Sequence, residues 1–573
     1  MSDEQEKSKW ASEDEIPSGF GPKGDLPMIE LPSSGVTIVE SAKKLFRLMA
    51  PSGWVFTRDG VVMRLARRED ETLFLKIVTP QAARSLFEKF GYLVVRRAGA
   101  NGTKVLATTI CSAETAKALL ESAEAQELLP EIAGLINCPI IYEREGKLNV
   151  AQPGYDPISK LLVTGGAEPI VVEPAEAAQA PTSLFDEFDF QSAGDKSRAI
   201  ASLISPALKM GRFIFGHVPA DVAEADQSQS GKTYRQKLIA AVYNEKVSLV
   251  PKRNGGVGSV DEAFSEQLLA GRLFIQFDNF RDRLDSPFLE AFMTAESSFP
   301  CRVPFKGSIN VRPEDFFIFM TSNGVETTRD FANRSNIIRI HKKPPGFSFK
   351  KYEEGSLLEH VKAKQAYYLG CVFSVIRAWH AAGKRRTNET RHDFKGWVQV
   401  VDWIVQNQFN MTPLMDGHQE AQERVSNPDV VFLRSVVLAL VRTEQLGEPQ
   451  SASDIAGICE AHSINIPGIR YSADLDKMAR LVGACFARKF REEDSIRMDD
   501  FQISRQFVKK RLDSGNGYVD SKVYVVERVG CPPAAEAISN GKCTTRRVET
   551  TTVSFMLPPT VPKDADAKTE TTA

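Results

Sequence analysis

The stretch Arg212–Ala241, RFIFGHVPADVAEADQSQSGKTYRQKLIAA, constrains this chain more than any other. Phe213, Ile214 and Phe215 form a short apolar run suited to a buried strand, and Gly216 to Pro219 break it. A loop then leads to Gly231-Lys232-Thr233, after which Tyr234, Leu238, Ile239 and Val242 recur at helical spacing. Strand, loop and helix, joined by Gly-Lys-Thr, match the second half of the phosphate-binding pattern G-x-x-x-x-G-K-[ST]. The residue types follow from the chemistry. Free N–H groups at a helix start attract an anion. Gly231 lets the backbone approach a phosphate closely, Lys232 reaches the outer phosphates, and Thr233 offers its hydroxyl to Mg²⁺. The first glycine of the pattern falls at position 226, where this chain carries Asp226.

The next segments repeat the theme of apolar strands ending in polar groups. Val247–Val250 reads as a short strand, followed by the basic, glycine-rich run 252–259 and a helix over Val260–Ala270. Arg272 to Asn279, RLFIQFDN, reads as a strand that delivers Asp278 at its end, the side of an open α/β sheet where ligands bind. Leu284–Ala295 reads as a helix. Cys301–Val311 reads as a hairpin with Lys306-Gly307 near its tip. Phe316–Asn323 is another apolar strand, now ending in the amide of Asn323. Arg329 and Arg334 stand just before a last strand, Asn336–Ile340.

This order resembles the AAA+ class, and more specifically the superfamily 3-like replication helicases of phages, plasmids and integrative elements. The resemblance covers about residues 195–345. It implies that Gly231, Lys232, Thr233 and Tyr234 bind ATP, that Thr233 and Asp278 serve Mg²⁺, and that Asn323 senses the outermost phosphate. Arg334 or Arg329 becomes the arginine finger acting on a neighbour's nucleotide in a ring of identical subunits, and Lys306 grips a DNA phosphate. Two positions depart from the family pattern: Asp226 replaces Gly, and Asn279 stands where a catalytic Glu is usual. Glu224, Asp261 and Glu262 are the remaining candidates for activating water.

With 573 residues the chain exceeds one core, and roughly three or four domains are expected. The expected class is α/β, organised as a P-loop AAA+-type core with an N-terminal α/β domain, a helical lid and a C-terminal winged helix. Residues 1–25 read as a disordered tail. Residues 26–166 form the N-terminal domain, in which the acidic run Glu69-Asp70-Glu71 reads as a solvated turn and no chemistry is assigned. A linker over 167–192 leads to the ATPase core, 193–345. The lid spans 346–427, with Trp379, Trp397 and Trp403 as core aromatics. The winged helix spans 428–530 and presents Arg480, Arg488 and Lys489 to a DNA groove. Residues 531–573 form a second disordered tail. A net charge of −2 excludes a global field that draws the chain onto nucleic acid, so DNA contact requires local patches. No apolar run approaches the ~20 residues that span a bilayer, and the polar start MSDEQEKSKWASEDE is no signal peptide. Membrane insertion is therefore not expected and a cytoplasmic location is. The eight cysteines are scattered; Cys111, Cys138, Cys371, Cys459 and Cys485 read as reduced core thiols.

The function expected from this pattern is ATP-dependent DNA unwinding or translocation in replication of a phage or mobile element. The alternative is a replication initiator or regulator that binds ATP and DNA without hydrolysis. A third reading is a remodeller acting on protein.

Overall fold

The computed structural model describes residues 26–98, 104–225, 229–250, 259–280, 286–303, 307–322, 327–467, 474–490, 494–498, 500–511 and 518–529. The sequence expectations for the two tails, 1–25 and 531–573, and for Asp226, Lys306 and Asn323 lie outside them.

A mixed α/β architecture is organised by a six-stranded sheet. Its spatial order is Asp189–Phe190, Ser335–His341, Ala220–Glu224, Phe317–Ser322, Phe274–Phe280 and Ser248–Val250. The last five strands run parallel, and the two-residue strand at the other edge pairs antiparallel to Ser335–His341. Parallel strands bury both faces, which explains runs such as Phe-Ile-Phe-Met at 317–320, all buried. Helices Ala193–Met210, Lys232–Val242 and Val260–Ala270 connect and cover this sheet.

One strand differs from the sequence expectation. The run Phe213–Phe215 is not a strand: it joins no sheet and is flanked by Arg212 and Gly216 at positive φ (+60° and +75°). The N–H of Phe213 instead bonds the carbonyl of Leu208 and closes helix Ala193–Met210, leaving Phe215 79% exposed. The strand that precedes the Gly-Lys-Thr loop is Ala220–Glu224, whose five residues are all buried. Two of them are acids, so the segment carries no apolar signature.

The N-terminal region builds a three-stranded antiparallel sheet (Val55–Arg58, Val61–Arg67, Leu73–Ile77) and a second sheet in which Tyr92–Ala98 lies between Met28–Glu30 and Lys104–Thr108. Two of its helices start at side-chain caps of clear sequence origin: Thr37 and Glu40 form a reciprocal capping box, and Thr79 caps a helix with Pro80 in its first turn. The region is joined to the central sheet through Arg58. This buried guanidinium donates to the carbonyls of Ile132 (3.2 Å), Ala133, Leu268 (3.0 Å) and Leu269 (3.3 Å). Burial lowers its pKa to about 10. Within 167–192, helix Pro174–Ser183 packs on helix Gln365–Ala381.

Helices Leu357–Ala363, Gln365–Ala381, Lys395–Gln408 and His418–Ser426 follow the sheet, with Trp379 and Trp397 in the same apolar core as the strands. A separate core, from Phe432 to Val526, unites helices Pro428–Arg442, Ala452–Ala461 and Leu475–Lys489 with a sheet ordered Gln450–Ser451, Tyr518–Arg528, Phe501–Arg511, Ser495–Met498. The cysteines at 111, 138, 301, 371, 459 and 485 are buried and free. No helix among the described residues is long and apolar enough to cross a membrane.

Candidate functional site

Helix Lys232–Val242 is fixed to the sheet by its own second turn. Arg235 donates to the buried carboxylate of Asp221 (2.9 Å to Oδ2), and Gln236 donates to Asp221 Oδ1 (2.8 Å) and to the Met320 carbonyl (3.0 Å). These fully buried contacts hold the helix start at the carboxyl ends of strands Ala220–Glu224 and Phe317–Ser322. Gly231 is the N-cap at φ +93°, a conformation that favours glycine, and it supplies no side chain to the free N–H groups of the first turn. An added Cβ there would stand 3.0 Å from the Phe188 ring.

Three side chains meet at this edge. Thr233 Oγ1 donates to Asp278 Oδ1 at 2.9 Å, and Thr321 Oγ1 donates to the same oxygen at 2.6 Å. Asp278 is exposed, and among the described residues its polar partners are these two hydroxyls. Lys232 is buried beside them, with Nζ 3.2 Å from Ser230 Oγ. Tyr234 turns outward, its ring 6.5 Å from Phe188 and its hydroxyl accepting the Leu358 N–H (2.9 Å) at the start of the following helical layer. A hydroxyl, a carboxylate and a helix start with a lysine form an oxygen-rich set suited to a hard cation and an oxyanion together. Thr321 was not singled out in the sequence; a hydroxyl residue ending an apolar strand was the signal.

Glu224 ends the strand two places away, and its surroundings are different. It is fully buried, with Oε2 2.7 Å from Arg424 Nη2 and Oε1 2.8 Å from Arg434 Nη1. Burial alone raises its pKa, but Arg424, Arg434 and Arg339 more than reverse this and hold it well below the carboxylate range. Such a group does not accept a proton from water near neutral pH. Asp261 accepts from Ser286 Oγ at 3.0 Å in the first turn of helix Val260–Ala270.

Arg334 lies at the opposite end of the sheet. Its carbonyl accepts the N–H of Ala220, the first residue of the central strand. It is therefore on the order of 15 Å from the Lys232 edge and cannot touch a ligand held there in the same chain. It lines an open cleft of about 780 Å³ with Phe215, His217, Asp393, Phe394 and Lys395, and lies 4.0 Å from Asp393 and 3.8 Å from Asp330. Arg329 is exposed at the start of helix Arg329–Asn333.

In helix Leu475–Lys489, Arg480 is exposed and Lys489 half-buried, whereas Arg488 makes a bidentate pair with Asp429 (2.8 and 2.6 Å). Arg488 is thus engaged in holding two helices together. The neighbouring hairpin exposes Phe507 and Val508, which the sequence reading did not single out. No family model matches this chain, and no curated protein matches it in sequence.

Proposed function

We propose that this chain is an ATP-driven translocase or helicase on DNA, built on an AAA+-type core of the superfamily 3-like kind and working as a ring of identical subunits. The observation that carries the reading is the Thr233–Asp278 hydrogen bond beside Lys232, at the loop edge of a five-stranded parallel sheet. Residues more than forty positions apart converge there with the chemistry that a nucleotide triphosphate and its cation need.

The residues fit both groups. Thr233 and Asp278 would hold Mg²⁺ through oxygen, the ligand type it prefers, while Gly231, Lys232 and the first-turn N–H groups would hold the phosphates. A cation held by these residues would supply charge neutralisation for phosphoryl transfer. Lys232 supplies a fixed positive charge from a buried position, and Thr321 keeps Asp278 oriented. Arg334 suits a neighbour's site rather than its own, and an arginine supplied in that way is worth on the order of 10³–10⁵ in rate. Three helices and a hairpin within 428–529 support the winged-helix reading, with Lys477 and Arg480 exposed on helix Leu475–Lys489.

A second reading, an initiator that binds ATP and DNA without hydrolysis, is favoured by one observation: Glu224, an acid at the same edge, is committed to two arginines. ATP turnover by the purified chain, with and without single-stranded DNA and beside Lys232→Ala, separates the two. DNA-stimulated turnover that vanishes in the variant is expected. Tight ATP binding without turnover under any DNA condition replaces the motor by the initiator.

A further inference from the structure

Residues Lys342–Tyr352, KKPPGFSFKKY, leave the carboxyl end of strand Ser335–His341 and cross to helix Leu357–Ala363 without regular structure. They contain four lysines and no acid. They also hold two exposed aromatics in succession, Phe347 (37% exposed) and Phe349 (59%). Folding gives no reason to leave two phenyl rings in water, since each buries favourable apolar area elsewhere.

The segment is nonetheless well fixed. Phe347 N–H bonds the carbonyl of Pro344 (3.2 Å) across a turn with Pro345 and Gly346 at its centre, and Gly346 at φ +85° gives it the type II pattern. Lys350 N–H donates to the Glu187 carboxylate. The two phenyl rings meet edge to face at 4.9 Å, and Lys343 Nζ sits 4.6 Å over the Phe347 ring. Lys350 Nζ lies 5.3 Å over Tyr352. Of the acids that follow, Glu354 is paired with His360 (2.8 Å), and Glu353 is exposed. Two exposed phenyl rings and the ammonium groups beside them thus share one turn.

We propose that Lys342–Tyr352 is a contact surface for single-stranded nucleic acid, in which Phe347 and Phe349 stack on bases and Lys342, Lys343, Lys350 and Lys351 meet phosphates. Charge complementarity selects a polyanion. The paired exposed rings select one that also presents flat, unpaired faces, which single strands do and duplexes do not. The surface extends the DNA-acting reading to a place outside both the 299–311 hairpin and helix Leu475–Lys489, and it does not depend on ATP turnover.

The test is fluorescence anisotropy of a labelled oligothymidylate titrated with the full chain, without nucleotide, across a salt series. Phe347→Ala with Phe349→Ala is expected to weaken binding about tenfold or more with an unchanged salt slope. Lys350→Ala with Lys351→Ala is expected to lower the slope of log K against log salt by about 1.4, two phosphates' worth for a single strand. Phe349→Trp, which keeps a stacking face, is expected to retain binding. ATP affinity and DNA-free turnover are measured on the same variants and are expected to be unchanged. Unaltered oligothymidylate binding in both double variants overturns the proposal, as does no binding by the parent chain. Loss of ATP affinity with intact oligothymidylate binding also overturns it, assigning the segment to the nucleotide base instead. Because turnover is read separately, failure of this surface and failure of the motor reading are distinguishable.

Discussion

Two carboxylates close the loop edge of the central sheet in opposite surroundings. Glu224 is fully buried between Arg424 and Arg434, which reach it from helices 200 and 210 residues further along the chain. Asp278 is open to solvent and accepts hydrogen bonds from two hydroxyls. A buried carboxylate saturated by guanidinium groups is a structural joint: it ties the central strand to helices His418–Ser426 and Pro428–Arg442. An exposed carboxylate oriented by neutral hydroxyls keeps its charge available for a cation. The same residue class at the same edge therefore divides into a buried anchor and an exposed, uncommitted charge according to what surrounds it.

Three substitutions press on that difference. Glu224→Gln leaves two buried guanidinium groups without their counter-charge. Breaking a buried pair from one side costs about 3–5 kcal/mol, read as a lower urea midpoint. Its folded pKa lies below the unfolded value, so the stabilisation is complete above the ordinary carboxylate range and is lost progressively as pH falls from there through the lowered value. The gap between wild type and variant should accordingly narrow in strong acid. A variant as stable as the parent chain would break the comparison. Asp278→Asn should do the reverse: stability within about 0.5 kcal/mol, and ATP turnover reduced by roughly 10- to 100-fold, the usual effect of disturbing a group that orients a cation's shell. Marked unfolding with turnover intact would make Asp278 the anchor. Thr321→Val removes one of its two hydroxyl donors, a hydrogen bond worth about 1 kcal/mol. Turnover should fall roughly fivefold, and no change would leave Thr233 as the sole orienting donor.

The site's central pieces were legible because their signals are local. Gly231-Lys232-Thr233 is contiguous, and Asp278 ends an apolar run. Helix Val260–Ala270 was legible for the same reason: its apolar positions and its cap, Ser259, are neighbours in sequence. Strand Ala220–Glu224 was not, because Asp221 and Glu224 are buried against partners distant in sequence: Arg235 lies 14 residues away, the others about 200. Hydropathy reads each acid as solvent-facing and cannot see a counter-ion on another element. The adjacent apolar run Phe213–Phe215 carries the hydropathy signal of a strand instead, although its first N–H closes the preceding helix on Leu208. Arg488 has a partner that the sequence does not show for a related reason: Asp429, which pairs with it, lies 59 residues upstream on another helix.

Arg58 bears on how this molecule can be taken apart. Its guanidinium ends in carbonyls on both sides of the junction, including the two that finish helix Val260–Ala270. A fragment beginning after residue 130 would expose Leu135 and Leu162, which pack with Phe56, Met63 and Leu75, and would remove the Arg58 guanidinium from those carbonyls. The six-stranded sheet is therefore expected to be soluble only when expressed with the strands that precede it, and an exchange of N-terminal regions between proteins would have to carry an equivalent of this arginine.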